Sequence, residues 1–310
     1  MMVSDIYGGE KKIFSRVCIA LFASFLLAYC GTFALIVALV WRFPDVWDND
    51  WFRMLINNLN TVLAIVLFLT FSIRIPSKKS QPLDRMTLQK AFVFFAVSIA
   101  LMAVGSLMGN ILTHIIGVFL GNPMENVVET MITDTKLFPL FVSVVIIAPV
   151  TEELLFRKIL IDKLSRYGTW FSVVFSAVAL GVFHGNFFQF FYASLIGVLL
   201  GYIYGIYGKI RYTVAIHMLI NLLGSVVALY VSGIAESEQV IHMVITMLYS
   251  MFYMSMVIGG ITFVAVYARR RYIKSTPCPL QRPIKHIFVN VGVFLLAVYG
   301  LVLFALSIFE

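Results

Sequence analysis

The chain has 310 residues, of which 61% are hydrophobic and only 12% charged, and its mean hydropathy is +0.96. A soluble domain carries about a quarter of its residues as Asp, Glu, Lys or Arg, so a water-facing globule is excluded. The net charge of +8 lies in short segments between apolar runs, which argues against nucleic acid as a partner and for loops at the faces of a lipid bilayer.

A span needs about 20 mostly apolar residues. In chain order that rule predicts helices near residues 13–41, 54–73, 91–119, 138–164, 169–189, 190–207, 212–233, 241–268 and 287–309. The first run is longer than the roughly 7–15 residues of a signal-peptide core and reads as a retained span. Cys18 and Cys30 lie within it and read as small hydrophobes. With Cys278 they make an odd set without CxxC spacing, so neither a disulfide framework nor a thiolate metal site is expected. Asn57, Asn58 and Asn60 in the second span, with Asn110 and His114 in the third, read as interhelical hydrogen-bond partners. The fifth and sixth spans are parted only by a polar break near Phe190, made of Gly185, Asn186 and Gln189. The sixth carries Gly197, Gly201 and Gly205, a tandem GxxxG that lets a neighbouring helix approach closely. Its Tyr202, Tyr204 and Tyr207 read as anchors at the membrane interface. The expected fold is all-α: a polytopic transmembrane helical bundle of about eight to nine spans.

The loops check this count. Lys11, Lys12 and Arg16 precede the first span, and Lys78, Lys79 and Arg85 follow the second. Lys163 and Arg166 follow the fourth, Lys209 and Arg211 the sixth, and Arg269, Arg270, Arg271, Lys274, Arg282 and Lys285 the eighth. The loops between are acidic: Asp45, Asp48 and Asp50, then Glu125, Glu129 and Asp134, then Glu236 and Glu238. Basic groups at every second loop place the N-terminus in the cytoplasm and Glu310 outside, as in a multi-pass protein of the cell membrane. Pro76, Pro82, Pro277, Pro279 and Pro283 stop helices within the basic loops.

One cluster resists explanation as membrane packing. The fourth span contains Pro149-Val150-Thr151-Glu152-Glu153-Leu154-Leu155-Phe156-Arg157, and Glu152 lies about 18 Å deep counted back from Leu164. Each ionisable residue at such depth costs about 2.5–3.5 kcal/mol on insertion scales. Glu153 and Arg157 are four apart and share a helical face, whereas Glu152 is turned by about 100°. The simplest assignment makes Glu153–Arg157 a structural ion pair and leaves Glu152 for chemistry; the converse is the alternative. Pro149 removes a backbone donor just before the cluster, which can kink the helix and open a pocket. His184 in the fifth span, and His217 with Asn221 one turn later in the seventh, complete the polar set. His242 and His286 fall near a span end and in a basic loop.

Glu152-Glu153-x-x-x-Arg157, then His184, then His217-x-x-x-Asn221 resembles the CPBP intramembrane proteases, the family of the type II CAAX prenyl endopeptidases and of bacterial peptide- and bacteriocin-processing proteins. The likeness covers residues 138–232, flanked by membrane helices in 1–137 and 233–310. The stretch from Phe183 to Gln189 looks like the bacterial branch. Two departures stand out: Leu180 where the family usually has Phe four residues before the histidine, and Lys158 where many relatives have Gly. The resemblance implies hydrolysis of a peptide bond in a membrane-associated peptide or protein. Glu152 and His184 would activate water, His217 and Asn221 would stabilise the oxyanion, and Glu153 and Arg157 would support them. It leaves metal dependence open; one divalent metal, zinc first, would take Glu152, His184 and His217. The competing readings are a catalytically silent membrane scaffold of the same family and a proton-coupled transporter.

Overall fold

A computed structural model describes residues 3–77, 85–268 and 285–309. Lys78, Lys79, Ser80 and Pro82, the basic segment from Arg269 to Pro283 with Cys278, the side chains of Lys285 and His286, and Glu310 lie outside the described residues. The described chain is helical: α1 (Val3–Arg42), α2 (Asp50–Phe71), α3 (Leu88–Leu120), the short α4 (Val127–Thr133), α5 (Leu137–Tyr167) and α6 (Thr169–Phe183). Then come α7 (Phe187–Tyr207), α8 (Ile210–Ile234), α9 (Val240–Ala268), the short α10 (Lys285–Phe288) and α11 (Val291–Leu306).

Among the described residues, seven helices are long and apolar enough to cross a membrane, and α6 and α11 are shorter apolar helices. The protein is a multi-pass helical membrane protein, and side chains such as Leu107, Ile111 and Met247 give it an apolar exterior suited to lipid.

Polar contacts collect the helix ends onto two faces. On one, Arg166 pairs with Glu10 at 2.8 Å, the Tyr167 hydroxyl donates to the Glu10 carbonyl, and Lys163 Nζ donates to the Ser72 and Ile75 carbonyls past the end of α2. On the other, Arg53 pairs with Asp50 and donates to the Asp134 carbonyl, while the Lys136 amide donates to Asp50. α1 packs on α2 and α11, and α3 on α7 and α9. One core gathers around Phe14, Phe25, Phe156 and Leu160, a second around Ile99, Leu200 and Ile203, and Tyr192 packs against both.

The break expected near Phe190 falls earlier, at His184–Asn186. Gly185 takes φ +72°, which ends α6 cheaply, and Asn186 caps α7 by accepting from the Gln189 amide. α6 therefore runs only about 22 Å before turning back. The tandem GxxxG packs this hairpin as expected. A Cβ on Gly197 would stand 3.0 Å from the Ala177 Cα, on Gly201 3.0 Å from Val173, and on Gly205 3.2 Å from Thr169.

Two readings of single residues need correction. Tyr204 and Tyr207 are buried rather than interfacial, because the Tyr204 hydroxyl is drawn inward to Asp162 at 2.8 Å; Tyr202 stacks on Trp170. Asn58 does bond across helices, to Ser143, but among the described residues the Asn110 and His114 side chains bond to no neighbouring helix; both face a cavity.

Candidate active site

The local backbone of α5 and α8 sets the site. α5 is π-helical over Phe141–Ile147 and again over Glu153–Ile161, and α8 over Leu222–Val227. Such wide turns gather at functional positions because they re-aim side chains. The first has a visible cause. The Ala148 amide donates to the Ser143 carbonyl, so the next bond in that register would join residue 149 to the Val144 carbonyl. Residue 149 is Pro149 and has no N–H to give. The Asn221 side chain fills the vacancy, donating from Nδ2 to the Val144 carbonyl at 2.8 Å. Pro149 thus shapes the helix through a missing donor, and Asn221 is fastened to the consequence with one amide hydrogen left over.

Glu153 is the hub of the charged cluster. It is fully buried, and its Oε2 lies 3.0 Å from Arg157 Nε, an ion-pair distance without good hydrogen-bond alignment. Its Oε1 lies 3.0 Å from His217 Nδ1. A carboxylate only accepts, so Nδ1 is the donor and the ring is held with Nε2 turned outward. That Nε2 stands 4.0 Å from Glu152 Oε2. Thr213, buried one turn before His217, donates its hydroxyl to the Ile210 carbonyl. The Arg157 terminal nitrogens, buried with the rest, meet no hydrogen-bond partner among the described residues.

His184 sits at the turn between α6 and α7. Its Nδ1 lies 3.0 Å from the Leu180 carbonyl, which again fixes Nδ1 as donor and leaves Nε2 an acceptor. The position where the family usually has Phe thus serves here through its backbone. Asn186 fastens the turn by donating to the His184 carbonyl and to Gln189.

The structure therefore joins Glu152, Glu153, Arg157 and His217 in one cluster and ties Asn221 to its base. His184 touches neither carboxylate directly. Among the described residues no three His, Cys, Asp or Glu side chains gather closely enough to hold a metal ion. Glu152, His184 and His217 thus do not fit zinc as they stand. Sequence reasoning placed Gln189 in the polar break but missed its bond from Asn186, which fastens the turn at His184.

No curated protein and no solved structure matches the chain at a meaningful level. A family model does match, over the segment holding both carboxylates, both histidines and Asn221. Its description names the prenyl endopeptidase type and does not bear on the bacterial branch. Over residues 134–223 the chain is similar to the type II CAAX prenyl endopeptidase Rce1-like family.

Proposed function

We propose that this chain is a CAAX protease-like intramembrane endopeptidase, lying in the cell membrane with its N-terminus in the cytoplasm and using Glu152 as catalytic base on a membrane-associated peptide or protein. One observation carries the reading: the Glu153 carboxylate, paired with Arg157, holds His217 so that Nε2 stands 4.0 Å from Glu152. One water spans such a gap.

In the proposed reaction Glu152 takes a proton from this water while its oxygen adds to the scissile carbonyl carbon. His184 steadies the water through its acceptor Nε2. The oxyanion accepts a hydrogen bond from the remaining amide hydrogen of Asn221 and is faced by His217, whose ring Glu153 holds so that Nε2 donates to it once protonated, strengthened by the low dielectric of a buried site. The carbon–nitrogen bond then breaks, and Glu152 passes its proton to the leaving amine.

The test is Glu152→Gln in purified protein given a peptide reporter. Cleavage should vanish at unchanged expression, and unchanged cleavage would end the reading. A cellular phenotype that survives the substitution would identify a scaffold.

A further inference from the structure

α6 runs about 22 Å before the chain turns back into α7, whereas α3 runs through all of its 33 residues. α7 covers α3 where Gly105 meets Tyr192 and Gly109 meets Phe187 and Phe188. Beyond Gly109, α7 has already ended. α7 does not reach the face of α3 that continues through Thr113 and Gly117; the segment after Gly121 folds across it instead, with a Cβ on Gly117 set to meet Asn122 and Pro123. Beside that segment lies an open groove of about 530 Å³. It lies at the end of the bundle opposite the Glu10–Arg166 contact.

Its lining is unlike a lipid-facing surface. Asn110, His114, Asn122 and Glu129 border it, and Phe188, one turn after His184, forms its inner wall. The side chains of Asn110, His114 and Glu129 are exposed and make no hydrogen bond to the described residues. Asn110 and Asn122 offer amide donors and acceptors, which suit an extended backbone, and Glu129 supplies an unpaired negative charge beside an exposed Glu125. From Gly109 to Gly121 the groove follows about 18 Å of helix, the length of about five extended residues.

We infer that this groove is an aqueous docking site, open to the non-cytoplasmic face, for an extended polypeptide segment carrying a basic residue opposite Glu129. The inference rests on the proteolysis reading for its occupant, the substrate stretch flanking the scissile bond. On that reading substrate reaches the catalytic turn from outside, along α3 and past Phe188.

Thiol labelling tests this without any cleavage assay, so its outcome is separable from that of the Glu152 experiment. In a chain with Cys18, Cys30 and Cys278 changed to Ala, Asn110→Cys and Ile111→Cys are compared in intact cells with a membrane-impermeant maleimide. Residues 110 and 111 share a depth, but Ile111 is exposed on the apolar exterior. Position 110 should label and position 111 should not. A synthetic decapeptide of alternating Lys and Ala should protect position 110, the Glu/Ala counterpart should not, and Glu129→Gln should weaken protection about two- to fivefold, the span of an exposed ion pair. Equal labelling at both positions, or labelling only in inverted vesicles, overturns the outward aqueous groove. Labelling without protection, or equal protection by both peptides, overturns the docking role and leaves a path for water alone. Where the cysteine-free chain fails to fold, the same comparison in the natural-cysteine background, read as label gained over the parent, decides the question.

Discussion

Two charged clusters sit on α5, their carboxylates at Glu153 and Asp162 about 13 Å apart along its axis, and they are built differently. In the one nearer the Glu10–Arg166 face, Asp162 accepts from the Tyr204 hydroxyl on one oxygen and from Lys158 on the other, both at 2.8 Å, and Lys158 also donates to Tyr204. Every charge there has an answer, and the result clamps α5 to α7. In the other, Glu153 serves two partners while Glu152 accepts no hydrogen bond from a described residue and the Arg157 terminal nitrogens remain unanswered. Buried polar groups are ordinarily satisfied. A cluster that stays open at an energetic disadvantage is kept for something the folded chain alone does not supply.

The sharpest way to break this contrast is to separate the two adjacent glutamates. Glu153→Ala strands a buried guanidinium and frees the His217 ring, so about 3–5 kcal/mol of stability should go, with activity. Glu152→Gln should abolish activity and leave the thermal midpoint in nanodiscs where it was. Equal loss of midpoint in both variants would mean that Glu152 is a second structural charge.

Asn221 tests the open cluster from its base. Asn221→Ala removes both the tie to Val144 and the proposed oxyanion donor. A drop in kcat of about 10²–10³ with KM little changed is expected of the donor. If the residue only repairs the bond that Pro149 cannot make, the activity lost should track the stability lost and return on cooling.

The closed cluster should answer in the opposite way. Asp162→Asn weakens its bond from Tyr204 of α7 and its pair with Lys158 of α5 itself and should lower stability by about 1–3 kcal/mol, while kcat per folded molecule is retained at low temperature. A catalytic defect greater than the folding defect would show that the clamp also aims the glutamates.

These contrasts were only partly visible in the sequence. The Glu153–Arg157 pair follows from helical spacing, and the approach of α6 to α7 from three glycines at fixed intervals. The turn at His184 was misplaced by a few residues, because hydropathy does not distinguish a short apolar helix that ends in a tight reversal from a full span. The Asp162–Tyr204 bond was lost for a similar reason: tyrosines near a helix end have the same composition whether they face lipid headgroups or a buried carboxylate. The π-helical stretches and the bond from Asn221 to Val144 were beyond reach. A proline announces a missing donor, but only the register of the helix says which carbonyl is orphaned.

The smallest expected effect concerns zinc. A catalytic zinc takes three protein ligands at about 2.0–2.2 Å, so their donor atoms must converge on one point. Here His217 Nδ1 is given to Glu153, its Nε2 is 4.0 Å from Glu152, and His184 is tethered to its own helix through the Leu180 carbonyl. Purified protein should therefore cleave a peptide reporter equally well with and without a chelator, and added zinc should change nothing. Loss of cleavage in chelator with recovery in zinc would demand that the α6–α7 turn carry His184 inward to join Glu152 and His217. The residues would stay the same, but the water now assigned to Glu152 and His217 would belong to a metal, and Glu152 would be its ligand rather than the base.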